Sequence, residues 1–409
     1  MEHTAYGKRL MLTPPVLSAP HRGLFLIGMV QFAATMLWWS FALLNLMGFG
    51  PELPVSTIPA SLLHAPAMLY LVLPPFFLGF LLTVFPRWMN FPDTTAKVYL
   101  PVESLLATAT VLFWLGLFRG SANLIVTAFA LTGAGWFWAL VYMLTLLVKE
   151  RQAGTPPTWH SWSCFTALYI GLTCLFASVV GLMELDAALI HGANLAALGL
   201  FILPVFVTVC HRMIPFFAGN VVEGYARWRP FKVLAAYWVA SIVAAAGYLM
   251  GQFTVAASGN AALALLTAFM LWKWIPRAAA PGLLWVLVLG FAWAPVGFAV
   301  LSWTDLFAPE LARAALHLLT VGLTGSLVVA MVTRVTQGHS GRALTMPLAA
   351  WGAFIATQAA ALLRLFAGFA GEELALLMVG AFCLTIGLLP WALRSLKIYL
   401  LPRADGKPG

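Results

Sequence analysis

The chain reads as an all-α membrane protein, with twelve transmembrane helices in three pseudo-equivalent four-helix units. Three observations predict this. Of its 409 residues, 62% are hydrophobic and only 9% are charged, where a soluble domain carries roughly a quarter charged residues. The apolar residues gather into twelve runs, each near the roughly 20 residues needed to cross a bilayer core. Lys and Arg then fall almost entirely into every second gap between those runs.

A polar head with Lys8 and Arg9 precedes span 1, about 23–48. That run is too long for a signal-peptide core and lacks a cleavage site, so it is read as retained. Span 2, about 61–85, opens on "SLLHAPAM" and closes at Arg87. Span 3, about 98–118, carries Glu103 in "YLPVESLL", and the tight break "FRGSAN" parts it from span 4, about 122–148. Span 5 covers about 162–183, and span 6, about 187–210, reads "AALIHGANLAALGLFILPVFVTVCHRM". Span 7, about 231–250, holds no histidine; spans 8 and 9 cover about 256–275 and 282–303. Span 10, about 311–336, begins "ARAALHLLTVGLTG", and spans 11 and 12 cover about 345–367 and 373–396. No gap is long enough for a soluble domain. Residues 1–409 are therefore one polytopic domain, with units at about 21–150, 151–280 and 281–400.

Charge orients the bundle. With a cytoplasmic N-terminus, nineteen of the 22 Lys and Arg residues lie on that side, leaving Arg119, Arg313 and Arg364 opposite. This is the positive-inside bias, and it places both termini in the cytoplasm. Glu52, Glu184, Asp186, Asp305, Glu310, Glu372 and Glu373 lean to the other side. The net charge of +9 is thus an orientation signal. Membrane lipid is the partner it implies, and nucleic acid is not.

His64, His191 and His317 lie 127 and 126 residues apart. Each opens an apolar span in the same register, with an arginine at the far end: Arg87, Arg212 and Arg334. Four spans per unit is an even number, so spans 2, 6 and 10 run in parallel and present these histidines at one outer depth. Imidazole is the commonest metal ligand, and ionisable groups inside a membrane are costly without a role. The trio is read as ligands to heme or copper, against the alternative of interfacial histidines bonded to neighbouring helices.

His211 and His339 follow at the inner ends of spans 6 and 10. Some 20 helical residues separate each from its outer partner, about 30 Å at 1.5 Å per residue, so one metal cannot bridge the two depths. Cys210 and Met213 beside His211 suit copper(I). Arg212, Arg334 and Arg342 suit heme propionates, or they simply reflect the positive-inside rule. Metal ligands are therefore sought among His191, His211 and His339, with Arg87, Arg212, Arg334 and Arg342 as cofactor supports. Pro204, Gly322 and Gly325 are expected to bend these spans or let them pack closely. Glu103, as an acid in a span, is a proton-relay candidate by default, and the reading preferred is a helix-start acid favoured by the dipole. His3, His21 and His160 are read as interfacial, and Trp38, Trp39, Trp88, Trp162 and Trp303 as an aromatic belt. The four cysteines form no C-x-x-C and no C-x-x-C-H, which argues against covalently attached heme.

Three stretches resemble the NnrS family: "GFLLTVFPRWMN" after His64, "HRMIPFFAGN" at His211, and "ALHLLTVGLTGSLVVAMVTRVTQGHSGRAL" from Ala315 to Leu344. The resemblance implies a bacterial inner-membrane protein of the nitric-oxide response that carries non-covalent b-type heme and copper. The family often shows His-x-His where this chain has His64-Ala65-Pro66. The architecture is also similar to the catalytic subunit of heme–copper oxidases and nitric oxide reductases, in which spans 2, 6 and 10 give outer ligands. By that analogy His64 and His317 pair on heme, leaving His191 for copper or an open heme position. The extra histidines of a binuclear centre are missing from span 7.

The function expected is binding or turnover of nitric oxide under nitrosative stress or in denitrification. A nitric oxide reductase-like enzyme would draw electrons from quinol or another external donor. The alternative is a histidine-lined transporter or metal-handling protein without redox catalysis.

Overall fold

The computed structural model describes residues 14–50, 58–370 and 373–406. Lys8, Arg9, His3, Glu52 and Glu372 lie outside that set. Among the described residues twelve helices are long and apolar enough to cross a membrane: α1 Pro20–Leu46, α2 Ala60–Trp88, α3 Ala96–Arg119, α4 Ala122–Gln152, α5 Trp159–Glu184, α6 Ala187–Val221, α7 Phe231–Leu249, α8 Phe253–Trp274, α9 Gly282–Phe307, α10 Pro309–His339, α11 Leu348–Phe369 and α12 Leu374–Leu400. Every regular element among the described residues is helical. The expected spans recur one for one, with helix ends displaced by several residues because polar flanks extend the helices beyond their apolar cores. The face where α1 begins and α12 ends is called the near face below, and the other the far face.

The three histidine helices form the centre. In its most apolar stretch α2 is 89% buried and α6 and α10 are each 72%, against 33–56% for the other nine. The three touch one another, and α1 meets α12 to close the ring around them. The exposed Leu, Phe, Val and Ile of the outer helices then face lipid, as an apolar solvent requires.

Since lipid removes most of the hydrophobic drive between helices, polar contacts and close packing hold them, at roughly 0.6 kcal/mol per interhelical hydrogen bond. Ser40 and Thr385 meet at 2.9 Å between α1 and α12. The Trp114 indole donates to Gln31 at 3.0 Å between α3 and α1. Trp293 of α9 donates to Gln358 of α11 at 2.6 Å, and Gln358 in turn donates to Ser326 of α10 at 2.6 Å. A threonine recurs on the central helices at intervals of 125 residues, as Thr83, Thr208 and Thr333. Each contacts a neighbouring helix: His21 at 3.4 Å, Ser163 at 2.6 Å and the Trp391 indole at 2.8 Å.

Each central helix is also interrupted by a π-helical segment just beyond its histidine: Ala67–Val72, Leu198–Ile202 and Leu318–Gly325. Among the described residues no other span has one. In α2 and α6 the cause is in the sequence. Pro74, Pro75 and Pro204 follow directly, and a proline ring lacks the N–H and crowds the carbonyl four residues back, so the preceding turn widens. In α10 no proline follows, and the segment contains Gly322 and Gly325. A side chain at Gly322 would run into the Trp293 indole, and one at Gly325 would meet Thr357. The bends expected at Pro204, Gly322 and Gly325 are therefore wide turns, which frequently mark functional sites.

Candidate functional site

The far-face site is built from α2, α10 and α11. His64 sits one turn into α2, partly buried, with its ring stacked on the Trp39 indole of α1 at 3.9 Å between centroids and 16° between planes. Its Nδ1 is buried and makes no hydrogen bond. His317 of α10 and Arg364 of α11 are close enough for their charges to act on it. Nδ1 of His317 donates to the Arg313 carbonyl one turn back at 2.7 Å. A ring anchored through Nδ1–H keeps its lone pair on Nε2, the tautomer of a metal-ligating histidine.

His191 does not join this pair. It is exposed on α6, and neither His64 nor His317 has it among its electrostatic neighbours. The common register along three parallel helices sets equal depth, but His191 is exposed where the other two are partly buried. Of the three histidines read as equivalent, His64 and His317 lie within electrostatic reach of each other.

On the near face, His211 and His339 each meet a histidine read from sequence as merely interfacial. His160, the second residue of α5, shares a 2.9 Å hydrogen bond between its Nε2 and Nδ1 of His211. His211 is fully buried, with its ring edge on Trp274. Its Nε2 lies towards the Pro230 backbone without a well-formed hydrogen bond. His21, the second residue of α1, is 4% exposed and packs its ring 4.4 Å from that of His339. The signal that finds these partners is their place at the near-face starts of α1 and α5, next to the ends of the central helices.

The cationic supports are engaged elsewhere. Arg87 holds Asp93 through two bonds, 2.7 and 2.9 Å. In the loop after α2, that guanidinium keeps the Asp93 carboxyl below its ordinary range. The Arg212 guanidinium lies 4.7 Å from the Trp88 ring centroid, and that of Arg334 lies 3.4 Å from Phe217. Such stacking holds the cations at the near face. Arg342 donates to the Ser340 carbonyl. Cys210, 1% exposed, points away from its neighbour His211 and lines an apolar cavity of about 40 Å³ between α1, α2, α6 and α10. Among the described residues no three His, Cys, Asp or Glu side chains gather as a metal cluster, so each site offers two imidazoles.

Glu103 also departs from its expected role. It is 5% exposed, both carboxylate oxygens lack a hydrogen bond, and the group lies against Gly23 of α1. A helix-start acid would instead reach the aqueous edge or the exposed N–H groups.

A ring of apolar helices around three buried, π-interrupted ones defines a polytopic, all-helical membrane protein. The NnrS family (NnrS protein) matches residues 15–403, nearly the whole length, and the chain belongs to that family. No curated protein matches it.

Proposed function

We propose that this NnrS-family chain binds or turns over nitric oxide in the bacterial inner membrane, with heme at the far-face pair and copper at the near-face pairs. The observation that carries the reading is the convergence of His64 and His317 with ligand-ready nitrogens: an unpartnered Nδ1 on one and a tautomer-fixed Nε2 on the other. These residues fit heme. His64 and His317 would ligate it, Trp39 would hold the His64 ring plane, and Arg364 supplies a cation suited to a propionate. When bound, the iron would supply one-electron chemistry, and it would offer nitric oxide a position where one of the two imidazoles gives way. Absorption spectra and metal analysis of the purified protein test this. Stoichiometric b-type heme and copper support it, and a protein free of both after expression with heme and copper supplied overturns it.

Copper would be taken by His160 with His211, and by His21 with His339. A two-coordinate metal between imidazoles needs nitrogens about 4 Å apart at ordinary bond lengths. The His160–His211 nitrogens, at 2.9 Å, must therefore part by roughly 1 Å to admit one. Since the two pairs are separate, the His211→Ala, His339→Ala double variant breaks both. Its copper content should fall at least several-fold while most heme absorbance stays. Equal loss of both cofactors would refute separate sites.

The orientation follows from the basic near face. Reporter fusions in the loops around Glu52, Asp186 and Asp305 should report the periplasm. A cytoplasmic signal from any one of them would reverse the assignment for that loop.

A further inference from the structure

The far ends of α7, α8 and α9 hold a polar cluster that neither histidine set touches. Asp305 lies two residues before the end of α9 and is 7% exposed. The Tyr248 hydroxyl of α7 donates to its Oδ2 at 2.8 Å. The Asn260 amide of α8 donates to the same oxygen at 2.9 Å and to the Tyr248 hydroxyl at 2.7 Å. No ion pair reaches this carboxyl among the described residues. Tyr248 is the titratable group that faces it from α7, while α8 presents only neutral Asn260. On α10, which also packs against α9, Glu310 and Arg313 are exposed and His317 faces Arg364.

Two neutral donors soften the burial of a carboxylate without cancelling its charge, and a buried acid in a membrane is a functional group by default. The cluster opens on a cavity of about 30 Å³ walled mostly by Leu and Ala, with Tyr248, Asn260 and Ser241 grouped as its polar residues. That is room for one water, which needs two to four polar partners. Ser241 is 1% exposed, and Tyr237, one turn deeper on α7, is fully buried; their hydroxyls lie next to each other without a well-formed hydrogen bond. Along α7 the three groups at 248, 241 and 237 descend from the far end to more than halfway across the span.

We propose that Asp305 is a proton-carrying site that exchanges its proton with the far aqueous side and with a water held at the polar end of that cavity by Tyr248, Asn260 and Ser241. In each transfer one O–H bond breaks on the donor as one forms on the acceptor, and no electron moves. The acid near the far end exchanges its proton with the aqueous side, and with the cavity water through the Tyr248 hydroxyl, which gives up its own hydrogen as it takes the acid's and returns it by the reverse step. A metal cation is the less suited occupant, because both neighbouring groups direct hydrogens at Oδ2. The inference does not depend on heme or copper.

Infrared spectroscopy of the full-length protein in liposomes tests it. Across a pH titration the wild type should show a protonated-carboxyl C=O band that shifts in D2O, with one component missing in Asp305→Asn. Glu103→Gln serves as the control for the other buried acid and should remove a different component. Tyr248→Phe keeps the acid and should move its band without abolishing it, which preserves the test if Asp305→Asn fails to fold. Ser241→Ala should slow H/D exchange of the band several-fold. If neither Asp305→Asn nor Tyr248→Phe alters any carboxyl band, the proposal is wrong. Loss of the Asp305 component on adding sodium chloride in place of a choline salt would also overturn it, in favour of a cation site.

Discussion

Replacing His317 with alanine is expected to lower heme content per protein by at least about tenfold, the scale seen when even a supporting partner of a metal ligand is lost, while the protein still inserts and purifies. Ligation needs a nitrogen with a fixed lone pair, and the 2.7 Å bond from Nδ1 to the Arg313 carbonyl provides it. Folding asks less of the same side chain. His317 is only partly buried, and its one hydrogen bond lies within its own helix. His64→Ala should act similarly, with an added loss of order at Trp39, whose stacking partner it removes. His191→Ala should leave the absorbance unchanged, because that ring is exposed and apart from the other two. Heme absorbance at constant protein reads all three. Retention in His317→Ala with loss in His339→Ala would move the heme to the near face.

The span count was legible because a bilayer imposes a length and a composition on every crossing, and basic residues mark the alternate loops. The central position of α2, α6 and α10 was legible through their histidines. Rotation was not. An apolar helix in lipid has no polar face to orient it, so nothing in "AALIHGANL" distinguishes an inward His191 from an outward one. The near-face pairs were hidden for a related reason. His21 and His160 stand at helix starts, where solvated histidines are common, and only packing against α2, α10 and α6 buries them. Asp305 looked like a loop acid because its apolar run was cut at residue 303. The extra turn of α9 that carries it inward depends on Tyr248 and Asn260, which are far away in sequence. The π segments were half visible: Pro74, Pro75 and Pro204 announce two, whereas the third has only its glycines.

Gly247→Ala and Gly259→Ala are each expected to lower the thermal midpoint of the detergent-purified protein, while Gly352→Ala is not. A methyl on Gly247 would fall on the Ala256 backbone nitrogen of α8, and one on Gly259 on the Ala244 backbone nitrogen of α7. The two helices thus approach through a pair of reciprocal notches, and backbone cannot swing aside as a side chain can. Overpacking of this kind costs about 1–3 kcal/mol, occasionally more. At Gly352 of α11 nothing lies within 4 Å of the added methyl, so alanine there gains up to about 1 kcal/mol of helix propensity without a clash. The notches also have a local consequence. Gly247 precedes Tyr248 and Gly259 precedes Asn260, so the close crossing is what holds that hydroxyl and amide 2.7 Å apart over Asp305. Forcing α7 and α8 apart should therefore shift the Asp305 carboxyl band as well as the melting temperature. A midpoint that falls equally in Gly352→Ala would show that the loss came from removing glycine as such, and the notch account would fail.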